Sequence, residues 1–196
     1  LSKSKSEYVQ FYMKNHEQIP TWIMIKVVNF STFIDVLHNS KTNVTHAICK
    51  LYSMYDDHNL PNVKLLIGSL HWLRRVRNSC AHNERVYCIH QTQARNNSAS
   101  GRILDPYYAQ LPTSYSRCTE KNIFDILIYF KYFLPKEEFA PMIMELKNML
   151  IELQNTLQPN AFDNVRGQMG IKNLNVLDTL IALPKSKIEY HKFDTL

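Results

Sequence analysis

Four glycines and eight prolines in 196 residues leave little material for tight turns. That favours long regular elements over a strand-and-turn architecture. No apolar run approaches the roughly 18 residues that a membrane helix needs. No secretory leader pattern opens the chain, so a cytoplasmic location without a membrane partner is expected. The four cysteines, Cys49, Cys80, Cys88 and Cys118, form no Cys-x-x-Cys pair, and the closest two lie eight positions apart. A zinc site drawn from His82, Cys88, His90 and Cys118 has no ligand pair at structural-zinc spacing. Reduced thiols and no bound metal are the simpler expectation. A glycine-rich phosphate loop, a Gly-x-Ser-x-Gly elbow and paired carboxylates of the kind that hold Mg²⁺ are all missing. These absences argue against P-loop, serine-hydrolase and two-metal chemistry, and no small-molecule cofactor is expected.

What remains is apolar and periodic. Hydrophobic residues make up 45% of the chain, enough for one real core at this length. Helical spacing predicts helices over 4–18, 21–37, 44–57, 62–87, 120–133, 136–157, 162–168 and 173–183. Pro61 suits the first position of the fourth. Residues 89–118 are polar and turn-rich, without helical period. A loop of that length is usually functional or mobile. The expected fold is an all-α helical bundle interrupted by this one long irregular loop. It is read as a single domain over 1–184 with a polar tail over 185–196. Leu1 opens the sequence in material that already looks helical, so the chain is expected to be the C-terminal part of a longer protein.

The informative stretch is Leu70–Tyr87. On a helical wheel Trp72, Leu73, Val76, Cys80 and Tyr87 share a sector about 100° wide, a core-facing stripe. His71, Arg74, Asn78, His82 and Arg85 occupy a second sector of about 80°, and Arg77 stands about 140° from His82. His71, three turns before His82 and about 16 Å away along the axis, is peripheral on this reading. The net charge of +6 suits a polyanionic partner, and this helix is where the charge is concentrated.

Residues Leu73-Arg74-Arg75-Val76-Arg77-Asn78-Ser79-Cys80-Ala81-His82-Asn83-Glu84-Arg85-Val86-Tyr87 resemble the signature of abortive-infection (Abi) proteins of the AbiD/AbiF kind. They also fit the arginine–histidine motif of the wider HEPN superfamily, here Arg77 and His82 with four residues between. Pro20-Thr21-Trp22 and Met169-Gly170-Ile171 are similar to two flanking segments of those proteins, so the resemblance spans about 5–180. Lys26, Ser31 and Leu174 depart from the family's usual residues there. The resemblance implies an α-helical HEPN-like bundle in bacterial phage defence. Its arginine and histidine would serve metal-independent RNA cleavage, often in a site shared by two protomers.

The residue types suit that chemistry. Histidine can move protons near neutral pH, and arginine's planar fork can hold phosphate oxygens and offset charge building on phosphorus. The expected catalytic set is Arg77, Asn78 and His82, with Arg74, Arg75, Arg85, Arg95 and Arg102 as RNA-binding cations. Tyr107, Tyr108, Tyr115 and Arg117 could add stacking and charge from the loop. Because Arg77 and His82 do not share a helical face, three arrangements are open. The helix is distorted near Ser79, Arg77 reaches round, or a second protomer of a homodimer completes the site. Two other functions fit the same residues. One is a non-catalytic RNA-binding or sensing module of a defence or toxin–antitoxin system. The other is a purely structural helical domain whose motif buries a polar network at a dimer interface.

Overall fold

Asparagine opens helices repeatedly in this chain, because its short side chain can satisfy an amide that the first helical turn leaves without a partner. In the computed structural model, Asn29 accepts from the Thr32 amide at 2.9 Å, Asn62 from Leu65 at 2.9 Å and Asn122 from Phe124 at 3.0 Å. The structure describes residues 7–16, 20, 28–56, 58–89, 91–92, 111 and 120–185. Of the loop residues singled out above, His90, Arg95, Arg102, Tyr107, Tyr108, Tyr115, Arg117 and Cys118 lie outside the described residues, as does the tail beyond Lys185. The chain divides into two compact units, 1–41 and 42–196.

The first unit holds α1 (Glu7–Asn15) and α2 (Phe30–His38), with Val9, Ile34 and Leu37 buried. A continuous helix over 21–37 does not form. The backbone bends at Val28, and Asn29 in an extended conformation (φ −70°, ψ 161°) begins a new helix. Residues 21–27 lie outside the described set.

The second unit is an all-α bundle: α3 (Thr42–Leu51), α4 (Val63–Ala81), a short 3₁₀ turn (Val86–Cys88), α5 (Ile123–Phe133), α6 (Lys136–Thr156), α7 (Pro159–Gln168) and α8 (Asn175–Ala182). Two two-residue strands, β1 (Gln91–Thr92) and β2 (Glu120–Lys121), pair antiparallel where the long loop leaves and returns. Helix α5 buries Ile123 to Tyr129, Lys131 and Tyr132, and packs against α4, α6 and the 3₁₀ turn. A helix buried on nearly every face is a core helix. Among the described residues no helix is long and apolar enough to cross a membrane.

Three of these helices end in the same way. Ser53 (φ 55°), Asn83 (φ 56°) and Gly170 (φ 79°) each adopt the left-handed conformation just past a helix. The following amides then fold back: Met54 to Cys49, Glu84 to Ser79 and Ile171 to Arg166, at 2.8, 2.9 and 3.1 Å. This double-bonded termination satisfies the last carbonyls of a helix. It stops α3 at Leu51, short of residue 57, and α4 at Ala81, short of residue 87. At the other end α4 starts at Val63. Pro61 lies before the Asn62 cap and pairs with Tyr55, rather than forming the first turn.

Candidate functional site

The packing stripe of α4 runs Leu65, Ser69, Trp72, Ser79, with Leu66, Ile67 and Leu70 beside it, all buried. This rotates the stripe expected from the wheel. Ser69 and Ser79 face the core, while Leu73 and Val76 are half-buried and Cys80 and Tyr87 exposed. A small hydroxyl residue can face a close-packed helix when it bonds its own turn, as Ser69 Oγ does to the Leu66 carbonyl at 2.8 Å.

Trp72 fixes the position of the stripe. Its ring is buried, and Nε1 donates to the main-chain carbonyl of Asn122 at 3.3 Å. Asn122 is also the cap of α5, and the Phe124 amide that it caps donates to the Met169 carbonyl at 3.0 Å. A β-carbon on Gly170 would fall 2.1 Å from the Asn122 amide nitrogen. The Met169-Gly170-Ile171 segment is thus the end of α7, pressed against the residue that holds Trp72.

Above Trp72 the face of α4 opens into a cleft of about 570 Å³. Its polar walls are His71, Arg74, Arg75, Asn78, His82 and Glu84, with Trp72, Ser79 and Gly68 completing the lining. The Arg75 guanidinium lies over the Trp72 ring, 5.3 Å from its centroid, a cation–π contact that orients the charge. His82 is the C-cap residue of α4, exposed, with its amide donating to the Asn78 carbonyl at 3.0 Å. Because the terminal carbonyls Asn78, Ser79 and Cys80 all accept main-chain amides, the end of α4 turns few unsatisfied acceptors toward an anion.

Of the expected catalytic set, Asn78 and His82 line the cleft and Arg77 does not. Arg77 is exposed, but its Nη1 donates to Asn78 Oδ1 at 3.1 Å. Of the expected RNA-binding cations, Arg74 and Arg75 line the cleft. Arg85 lies past the end of α4, exposed and outside the lining. Its place on a shared helical face is therefore lost, since the helix stops at Ala81. His71 lines the same cleft as His82, so spacing along the axis underrated it. Glu84 was missed altogether; only the left-handed turn at Asn83 brings it back alongside α4.

A family model described as "Abi-like protein" matches residues 1–88. The match takes in every residue lining the cleft and ends at Cys88, well short of the expected span to about 180. No curated protein and no solved structure matches the chain.

Proposed function

We propose that this chain, whose residues 1–88 match the Abi-like family model, is an abortive-infection effector whose HEPN-like bundle cuts RNA without a metal ion. The observation that carries this reading is that Asn78 ties the motif's arginine to the cleft that the motif's histidine lines. Asn78 accepts the Arg77 guanidinium and lines the cleft that His82 also lines. Of the arrangements open from sequence, the one in which Arg77 reaches round its helix has this contact in its favour.

The chemistry follows from the side chains. The ribose 2′-oxygen attacks the adjacent phosphorus as its proton leaves, and the 5′-oxygen departs as it gains one. The products are a 2′,3′-cyclic phosphate and a 5′-hydroxyl. His82 handles proton transfer. Arg77, held by Asn78, and Arg74 offset the charge on the phosphoryl oxygens. Arg75, His71 and Arg85 extend the track for neighbouring phosphates. A second protomer would supply a further Arg77 or His82 across a helix–helix contact. Sedimentation showing only monomer at micromolar concentration would remove that part of the proposal.

A second reading, an RNA-binding module without catalysis, draws on the position of Arg77 outside the cleft lining. One experiment separates the two. Purified protein is incubated with total RNA in EDTA beside His82→Ala and Arg77→Ala. Cleavage lost in both variants supports the nuclease. A wild type that shifts RNA in gels without cutting it, with binding that weakens steeply as salt rises, supports the binding module.

A further inference from the structure

Among the described residues the same helix ending occurs three times, and one of the three differs in chemistry. Past α3 and α7 the residue that follows the left-handed position is apolar and fully buried, Met54 and Ile171. That is the usual arrangement, since this position packs back on the helix it closes. Past α4 the residue is Glu84, exposed and lining the cleft. Its main chain is fixed by the 2.9 Å bond to Ser79, while its carboxylate has no ion pair among the described residues.

In a cleft built to hold phosphates, that carboxylate is out of place as a backbone contact. Histidine, arginine and asparagine can all donate to phosphate oxygens, whereas an ionised glutamate only accepts. Beside a phosphate it repels, so it needs a ligand group that donates. We propose that Glu84 reads a base of single-stranded RNA, accepting the two adjacent N–H donors on the Watson–Crick edge of guanine. This rests on the RNA reading of the cleft and names its specificity.

The choice of guanine follows from the pattern of donors. Its N1–H and N2–H lie side by side and match the two oxygens of a carboxylate. Adenine and cytosine set one amino donor beside a ring-nitrogen acceptor, which faces the second oxygen unfavourably. Uracil flanks its single N3–H with two carbonyl oxygens. Single-stranded RNA is read on such edges because its bases can be splayed from the stack. The cleft is also within the size range of small-ligand sites.

The test measures binding and cleavage of short oligouridines carrying one central G, A or C, by wild type, Glu84→Gln and Glu84→Ala, with circular dichroism confirming folding. The expected wild-type preference for the G-containing strand is roughly tenfold, the scale of one good bidentate pair. Both variants lose it through weaker binding of the G-containing strand, and Glu84→Ala binds the A- and C-containing strands more tightly at low salt because a negative charge has left the track. A wild type that binds RNA with no base preference, as a contact from Glu84 to the 2′-hydroxyl would produce, overturns the proposal while leaving the RNA reading intact. A preference that persists in Glu84→Ala does the same. A folded wild type that binds none of the strands overturns the RNA reading itself, and this inference with it.

Discussion

Trp72 Nε1 and the Asn122 carbonyl, 3.3 Å apart and buried, join the helix that carries the cleft to the start of the core helix α5. The same Trp72 lines the cleft, with the Arg75 guanidinium over its ring. Trp72→Phe keeps an aromatic ring but removes this hydrogen bond. The expected loss is about 1 kcal/mol, the net worth of one hydrogen bond. It should appear as a lower urea midpoint at unchanged m-value.

Gly170 supports the same junction from the other side. Its φ of 79° disfavours any side chain, and a β-carbon would strike Asn122. Gly170→Ala should therefore destabilise the fold by at least about 2 kcal/mol, above the purely conformational cost. A melting temperature equal to wild type would show that Asn122 is not pinned as described.

Two lysines cross-cap the core. Lys131 on α5 donates to the Leu180 and Ile181 carbonyls in the last turn of α8. Lys185, just past α8, donates to the Tyr132 and Leu134 carbonyls at the end of α5, each at 3.0 Å. Cations at helix C-termini are favourable, but burial, with Lys136 and Lys185 nearby, lowers the Lys131 ammonium from 10.5 to about 8. Between those values the unfolded chain binds the extra proton, so stability rises with pH across the window. Burial raises the Cys49 thiol from 9.0 to about 11, which opposes the rise above pH 9. The urea midpoint should climb from about pH 7.5 to about pH 9. Lys131→Met should retain only the smaller part due to Lys185, whose pKa burial also lowers. Identical slopes in both proteins would refute the assignment.

Arg77 and Asn78 act as a unit if Arg77 reaches the cleft through its 3.1 Å bond to Asn78. A double-mutant cycle on RNA cleavage should then show the pair losing less than the product of the single losses, by about tenfold. Strict additivity of Arg77→Ala and Asn78→Ala would mean that the contact carries no function.

The helices were legible because apolar residues recur at three- and four-residue steps along most of the chain. Their ends were less so. Ser53 and Asn83 take a left-handed conformation usually left to glycine, so periodicity ran on past Leu51 and Ala81. The buried face of α4 was misjudged because Ser69 and Ser79 face the core although their residue type predicts surface. Paired strands of two residues give no alternation to detect. At the site, Arg74, Arg75, Asn78 and His82 were recognisable from the motif and do share a cleft. Glu84 was not, because its place depends on a turn that no wheel represents.

The central claim is tested most directly by the ends left on RNA cut in EDTA. Wild type should leave 2′,3′-cyclic phosphate and 5′-hydroxyl termini. His82→Ala, with an unchanged circular dichroism spectrum, should cut at least about a hundredfold more slowly, as removal of a general acid–base group predicts. Undiminished cutting by His82→Ala, or cutting that EDTA abolishes, would contradict the account.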